Sequence, residues 1–107
     1  MLCRHIKWRP GRASVDGPRI QWDADKASAN HRKRGVSFLE AVDVLLDPLA
    51  ATLEDRWHSD MEQRVTVVGV SGMRRLLRVT VVQRGTMVRI IPARRASARE
   101  RHAYEEG

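Results

Sequence analysis

Residues 64–91, RVTVVGVSGMRRLLRVTVVQRGTMVRII, contain three runs rich in Val, Leu and Ile that are separated by glycine-containing turns. We predict three strands here, over Arg64–Val70, Arg75–Val82 and Met87–Ile91. The turns at Gly72 and Gly85 are short, and strands joined by short turns pair antiparallel, so the stretch predicts a three-stranded meander. Pro92 has no backbone N–H to donate, and we expect it to end the last strand.

Before the meander, the chain carries a short strand candidate and a helix with clear boundary residues. Arg19–Trp22 has the composition of a strand, and Asp23 directly after it can cap a helix over about Ala24–Arg34. Gly35 is suited to end this helix, because glycine adopts the left-handed conformation without strain. The domain is therefore predicted to begin with a strand and a helix.

A second helix is predicted between Ser37 and Pro48. Ser37 and Glu40 form a capping-box pattern, in which each side chain bonds the backbone N–H of the other residue. The apolar residues that follow keep helical spacing and form one stripe: Phe38, Ala41, Val42, Leu45 and Leu46. The helix closes before Pro48, since the residue preceding a proline disfavours helical geometry. We expect Phe38, together with Trp22, to anchor the core.

The remaining segments complete the fold prediction. Leu49–Leu53 alternates as a strand does, and the polar stretch Glu54–Gln63 predicts a loop. Near the C-terminus, Ser97 and Glu100 repeat the capping-box pattern and open a helix that runs to about Glu105. The order predicts an α+β domain, an antiparallel sheet with two N-terminal helices and one C-terminal helix packed on it.

The composition indicates one basic domain. The chain of 107 residues is 42% hydrophobic, which suffices for one core, and only 5% aromatic, so aliphatic side chains must fill most of it. It holds 20 Lys and Arg against 13 Asp and Glu, a net charge of +7. This balance favours nucleic acid as a partner, although a solvated basic surface without a partner has the same composition.

Residues 1–19 form a separate segment that is rich in Arg, Gly and Pro and shows no periodicity. We expect a disordered basic arm there and a single domain over residues 20–107. The arm either touches RNA or has no role, and we favour the second interpretation.

Cys3 is the single cysteine, which excludes an intramolecular disulfide and fits a reducing cytoplasm. No stretch has the length of a membrane span, and no secretory signal is recognisable.

The acid–base candidates are four histidines: His5, His31, His58 and His102. None lies in a HExxH or Cys/His pattern, so we predict no metal site and no cofactor. His58 is the strongest candidate, because it lies in the polar loop and an unperturbed imidazole titrates near pH ~6.5. Glu62 would orient this imidazole or act as the base itself. The alternatives are an exposed histidine without a role and an acid paired with Arg64.

Three arginines interrupt strands that are otherwise apolar: Arg64, Arg78 and Arg89. Residues two apart along a strand share a face, so Arg78 lies opposite to Leu77 and Val79. Strand pairing can therefore collect several arginines on one exposed face, where their planar guanidinium groups match the geometry of phosphate. The alternative is a set of solvent-facing charges that only prevent aggregation of the sheet. We favour phosphate binding.

Three segments of the chain resemble the BrnT family of ribonuclease toxins, in the order and at the spacing of that family. The first is Ile20–Ala41, which contains IQWD (20–23), Lys26-Ala27, Asn30 and GVSF (35–38). The second is Asp55–Arg64, which begins with DRWHS (55–59), and the third is Arg89–Glu105, which begins with RIIPARRA (89–96). The resemblance covers about Arg19 to Gly107. One such segment alone would not be specific, whereas the three in order are.

This resemblance implies a RelE-like fold, ribonuclease activity and neutralisation by a small BrnA-like antitoxin encoded alongside. Such an antitoxin binds DNA and represses the shared operon, so contact with DNA is implied only through the antitoxin. The implied assembly holds two toxins with an antitoxin dimer. The chain departs from the family at Arg34, where members usually carry His, and at Pro92, where they usually carry Ser. The first departure argues against a role for an imidazole at that place.

Together, the residues and the resemblance predict a set of site residues. The predicted catalytic residues are His58, Glu62, Arg64, Arg89 and Arg94. The predicted RNA contacts are Lys26, Arg78, Arg95 and Tyr104. Lys26 and Arg94 match the family, and Arg94 and Arg95 precede the last helix, whose positive end attracts phosphate. Tyr104 would stack on a base or pack against the sheet, and packing is the favoured interpretation.

Three functions remain open at this point. The first is a ribonuclease toxin that cleaves RNA without a metal ion and inhibits translation. The second is a nucleic-acid-binding module without catalysis, and the third is an interaction domain whose basic surface meets an acidic antitoxin segment. A pure binder needs only the arginines, so His58 and Glu62 beside them favour the ribonuclease.

Overall fold

The structure is a computed structural model that describes residues 19–54 and 63–106, which form five strands and three helices. The strands are β1 (Arg19–Gln21), β2 (Ala51–Glu54), β3 (Gln63–Val70), β4 (Leu76–Arg84) and β5 (Met87–Arg95). The helices are α1 (Ala24–Arg34), α2 (Phe38–Leu45) and α3 (Ala98–Glu106). The predicted α+β class is confirmed. Of the expected arm, residues 1–18 lie outside the described residues, and Arg19 opens β1.

All five strands belong to one sheet with the order β1-β5-β4-β3-β2. Strands β2 to β5 pair antiparallel in chain order, which is the predicted meander with β2 added to it. Strand β1 pairs parallel with β5, so the sheet is mixed rather than wholly antiparallel. A tight turn cannot connect parallel strands, and here both N-terminal helices and three strands lie between β1 and β5 along the chain.

Helix α1 occupies the predicted range because residues at both of its ends satisfy the backbone. Asp23 Oδ1 accepts the backbone N–H groups of Asp25 and Lys26 at 2.9 and 3.0 Å. Gly35 ends the helix at φ 70°, and its N–H donates to the carbonyl of His31. A residue with a Cβ would be strained at this φ, which explains the glycine.

Ser37 caps α2 as predicted, but Glu40 does not complete the capping box. Ser37 Oγ accepts the N–H of Glu40 at 3.1 Å. The buried Glu40 carboxylate instead accepts hydrogen bonds from Ser71 Oγ at 2.7 Å and from Arg75 Nε at 2.9 Å, and Arg75 Nη2 contacts it as well. An ion pair is stronger than a bond to a neutral N–H, so the carboxylate ties α2 to the β3–β4 turn.

Strand β5 continues beyond Pro92, so the prediction that this residue ends the last strand is wrong. The register shifts between Val79 and Val81, which pair with Ala93 and Ile90 respectively. Two residues of β5, one of them the proline, therefore lie opposite a single residue of β4. This is a β-bulge, in which the extra residue leaves the hydrogen-bond ladder and needs no N–H.

Asn30 supports the edge of β5 directly after this bulge. Its side-chain amide donates to the carbonyl of Ala93 at 2.8 Å and accepts the N–H of the same residue at 3.2 Å. It also donates to the carbonyl of Val36 at 2.9 Å. Since β1 pairs only with Met87–Arg89, the amide takes the place of a neighbouring strand and satisfies buried backbone groups.

The core lies between α1, α2 and one face of the sheet. Its buried side chains are Val36, Phe38, Ala41, Val44 and Leu45 from the helical side, and Val65, Val67, Leu77, Val79, Val81, Val88, Ile90 and Ala93 from the strands. The half-buried Trp22 meets Phe38 edge to face, with 6.2 Å between the ring centroids. Helix α3 lies on the opposite face of the sheet, where Glu100 contacts Arg78 on β4.

Candidate functional site

Two exposed arginines lie in one row across the sheet, on the face that carries α3. Arg64 on β3 pairs with Val82 on β4, and Val82 pairs with Arg89 on β5. Residues that pair across strands share a face, so the two arginines point to the same side, with Cα atoms two strand spacings or about 10 Å apart. Gln21 on β1 pairs with Arg89 and extends the row to the sheet edge.

A second pair of arginines lies on the same face, further along β4. Arg78 precedes Val82 by four residues and pairs with Arg94 on β5. Strand geometry places this pair about 13 Å from the first row. We call the surface formed by Arg64, Arg78, Arg89 and Arg94 the arginine face. Arg64, Arg78 and Arg89 thus share a face, and Arg94 joins them because β5 extends to Arg95.

Glu100 on α3 holds the second pair. Its carboxylate accepts hydrogen bonds from Arg94 Nη1 and Nη2 at 3.0 and 2.9 Å, and its Oε2 lies 3.0 Å from Arg78 Nε. The same carboxylate accepts the N–H of Ser97 at 2.8 Å, which completes the predicted capping box. Arg78 and Arg94 thus share one partly buried carboxylate, whereas Arg64 and Arg89 are exposed.

The electrostatics of this contact keep Glu100 ionised. Burial of the carboxyl group opposes ionisation, but the hydrogen bond from the Ser97 N–H and the charge of Arg94 outweigh it, so the pKa of Glu100 is lowered. An ionised Glu100 neutralises part of the charge of the arginine pair. The larger share of unbalanced positive charge on the face lies at Arg64 and Arg89.

Tyr104 fastens the other end of α3. Its hydroxyl donates to Asp47 Oδ2 at 2.9 Å, and the ring is half-buried. Burial, together with the neighbouring carboxylate, raises the pKa of Tyr104. This contact agrees with the packing interpretation of the residue, because the hydroxyl is already engaged within the domain.

Lys26 and Arg95 lie in different surroundings from the arginine face. Arg95 pairs with Leu77, whose side chain enters the core, so it points to the side of α1 and α2. Lys26 is exposed on the first turn of α1. The pKa of Asp23 is lowered, chiefly by the hydrogen bond from the Lys26 N–H and further by the charges of Lys26 and Arg89.

The described ranges contain neither a group of metal ligands nor a helix suited to span a membrane. Within residues 19–54 and 63–106, no three His, Cys, Asp or Glu side chains group together as metal ligands. In the same ranges, no helix has both the length and the apolar composition needed to cross a membrane.

Residues 22–100 match the family model described as ribonuclease toxin, BrnT, of type II toxin–antitoxin systems, which is more than half of the chain. The chain belongs to the BrnT family. Its fold is also similar to that of the ribonuclease toxin BrnT from Brucella abortus, whose crystal structure superposes with a TM-score of 0.57 at 22% sequence identity, covering 75% of this chain and 97% of that one. No curated protein sequence matches the chain.

Membership of the BrnT family confirms the resemblance on which the prediction of the site residues was partly based. The positions of two predicted catalytic residues are not described by the structure. His58 and Glu62 lie outside the described residues. The strands on either side of them are described: β2 ends at Glu54, which pairs with Val65, next to Arg64. The chain therefore leaves and re-enters the sheet at the end that carries the exposed row.

Two residues of this BrnT chain near the site were not predicted. Gln21 joins the row beside Arg89 only because β1 pairs parallel with β5, and no local pattern signals that pairing. Glu100 was predicted as a helix cap, and its second role as the partner of two arginines was not. A signal for it was present, since an acid six residues after Arg94 can fold back onto it across the turn that opens α3.

Proposed function

We propose that this chain is the toxin of a type II toxin–antitoxin pair and that it cleaves RNA without a metal ion in the cytoplasm, thereby inhibiting translation. The observation that supports this most is the exposed row formed by Arg64 and Arg89 on one face of the sheet. An enzyme that cleaves RNA must stabilise the negative charge that accumulates on the phosphate oxygens. The two guanidinium groups, which lie on one face of the sheet, supply the positive charge that stabilises it.

The proposed reaction is an attack within the RNA backbone. A base takes the proton of the ribose 2′-hydroxyl, and the oxygen attacks the adjacent phosphorus. The bond from phosphorus to the 5′-oxygen of the next nucleotide breaks, and an acid protonates that oxygen, leaving a 2′,3′-cyclic phosphate. Atoms and charges balance with protons alone, so no metal or cofactor enters the proposal.

His58 and Glu62 are the proposed acid–base groups. An imidazole can give and take protons near neutral pH, and a nearby carboxylate can orient it or act as the base. Both belong to the segment that connects β2 with β3, and that connection starts and ends beside Arg64. The segment is thus tethered next to the charges that the reaction requires.

Some of the other predicted residues would contact RNA and others would not. Arg78 and Arg94, held by Glu100, extend the positive surface along the path of the RNA backbone. Lys26 would contact a neighbouring phosphate at the β1 edge. We leave out Arg95, which lies on the other face, and Tyr104, whose hydroxyl is bonded to Asp47.

The proposed partners follow from the family. The substrate is RNA, and the toxin is neutralised by a BrnA-like antitoxin, with two toxins held by an antitoxin dimer. DNA contacts are made only by the antitoxin. No membrane contact is proposed.

A non-catalytic RNA-binding or antitoxin-binding module is the alternative, since the arginine face alone suffices for a binder. Cleavage of RNA in the absence of free metal ions distinguishes the two functions.

The experiment incubates the purified chain with labelled RNA in the presence of a chelator. We expect products that end in a 2′,3′-cyclic phosphate. His58→Ala should lower the cleavage rate by about 100-fold or more, which is the usual size of an acid–base contribution. His102→Ala, an exposed histidine on α3, is the matched control and should cleave normally.

Both variants must keep the circular dichroism spectrum of the parent chain. Binding of RNA without cleavage by the parent chain supports the binding module instead. Absence of RNA affinity at low salt contradicts both and leaves an interaction domain.

A further inference from the structure

Exposed apolar side chains of this protein are concentrated around α2. Six large hydrophobic side chains are exposed among the described residues, and Met87, at the start of β5, is the one remote from this helix. Val70 lies near the helix along the chain, but its register in β3 turns its side chain to the arginine face. The other four are Leu39, Leu46, Leu49 and Met73. Of these, Leu39 is 72%, Leu49 is 74% and Met73 is 68% exposed. Clustered exposure of this kind is unusual in a monomeric protein and marks an interaction site.

Two aspartates bond the β3–β4 turn, which carries Met73, to α2 and the residues that follow it. Asp43 Oδ2 accepts the N–H of Gly72 at 2.9 Å, and Asp47 Oδ2 accepts the N–H of Val70 at 2.8 Å. These bonds fix the β3–β4 turn against the outer edge of α2. Met73 follows Gly72 directly, so it lies beside the outer side of the helix. We call Leu39, Leu46, Leu49 and Met73 the α2 apolar surface.

At the start of α2, this surface continues into a cleft of about 240 Å³. Leu39 belongs to both, and the remaining lining is Trp22, Ala27, Ser28, His31, Ser37 and Phe38. The cleft is bordered by the last turn of α1, where His31, Arg32, Lys33 and Arg34 are all exposed. Arg34 follows Ala27 and His31 at helical spacing and so lies on the cleft side of α1.

We propose that the α2 apolar surface and the cleft bind an acidic protein segment, whose apolar side chains cover Leu39 and Met73 and whose carboxylates meet the last turn of α1. The proposal rests on the proposed function in one respect, namely that the partner is the antitoxin. It places that partner on the side of the sheet opposite the arginine face. The basic border lies at the cleft end of the surface, along the last turn of α1, whereas Asp43 and Asp47 lie at the end that carries Met73. This matches a segment whose apolar side chains cover Leu39 and Met73 and whose carboxylates lie at the cleft end.

Charge decides against the other occupants. A second copy of the chain carries the same net charge of +7, and in a symmetric dimer through this surface the basic last turns of α1 would repel each other. RNA would leave the exposed leucines without apolar contacts. An acidic polypeptide satisfies both parts of the surface at once.

The test uses the full chain and the product of the reading frame next to its gene. We expect Leu39→Ser/Met73→Ser to weaken binding of that product by about 30-fold or more, because two exposed apolar anchors are lost. Both side chains are exposed, so folding should be unaffected. Met87→Ser removes the exposed hydrophobe remote from α2 and should change the affinity less than about twofold.

Other outcomes separate the two proposals. If the product binds the parent chain and binds the double variant equally well, the inference about this surface is wrong and the proposed function is untouched. If the product does not bind the parent chain, neutralisation by that product is refuted, and this inference with it. Loss of RNA affinity in the double variant, or a dimer of the chain alone that the double variant dissolves, would assign the surface to RNA or to a second copy and overturn the inference.

Discussion

Replacing both Arg64 and Arg89 by alanine should reduce the rate of RNA cleavage by about 1,000-fold or more, since removal of a single group that stabilises transition-state charge costs about 100- to 1,000-fold. Both side chains are exposed and neither enters the core, so the variant should fold as the parent does. The measurement is single-turnover cleavage of labelled RNA at saturating protein, which separates the chemical step from binding.

The matched control is Arg32→Ala/Lys33→Ala. It removes the same two positive charges from exposed positions on α1, on the other side of the sheet. We expect this control to lose general affinity for RNA and to keep the saturated rate. Arg64→Lys/Arg89→Lys keeps the charge but loses the planar fork, so we expect an intermediate rate. Equal losses in both alanine pairs would mean that only net charge matters and that no site lies on the arginine face.

The second large effect concerns stability. Glu40→Ala should lower the free energy of unfolding by about 2–3 kcal/mol, because it removes a buried carboxylate that bonds Ser71 and Arg75 and leaves both partners unsatisfied. Chemical denaturation followed by circular dichroism measures this loss. Glu105→Ala, an exposed acid on α3, is the control and should stay within about 0.5 kcal/mol of the parent.

The loss caused by Glu40→Ala should depend on pH. The hydrogen bond from Arg75 is the largest cause that lowers the pKa of Glu40 below its usual value of 4.5, and the bond from Ser71 adds to it against the opposing effect of burial. A lowered pKa means that the ionised carboxylate stabilises the fold above pH 4.5 and that this contribution disappears as the pH falls through the folded-state value. The difference between parent and variant should therefore be full at neutral pH and shrink in acid. A difference that stays constant from neutral pH to about pH 3 would show that Glu40 acts by packing rather than by charge.

Local patterns in the sequence were enough to predict most of the elements. The alternation of Val and Leu around Gly72 and Gly85 predicted the meander, because each tight turn forces its two strands to pair antiparallel. Asp23 and Ser37 predicted where helices begin, since an N-cap acts on backbone groups two or three residues away. The alternation of strand side chains also allowed several arginines on one face to be expected, but the row of Arg64 and Arg89 depends on the register of three strands.

Contacts between distant parts of the chain could not be predicted in this way. The parallel pairing of β1 with β5 joins Gln21 to Arg89, and the amide of Asn30 satisfies the backbone of Ala93. Neither contact leaves a local periodicity. Pro92 was assigned as a strand end because a regular ladder cannot hold it, and the bulge that holds it depends on a register shift in the neighbouring strand. Glu40 shows the same limit, since its ion-pair partner is Arg75, on the far side of the β3–β4 turn.

The most direct test of the account is to locate RNA on the protein. A short RNA with 2′-O-methyl groups lacks the attacking hydroxyl and can be titrated into the ¹⁵N-labelled chain without being cleaved, while NMR follows backbone amides and arginine Nε–H groups. We predict that the largest shifts occur at Arg64 and Arg89, with smaller ones along β1 and β5. Largest shifts in the last turn of α1 and on the α2 apolar surface, with Arg64 and Arg89 unmoved, would contradict the assignment of the arginine face as the RNA site.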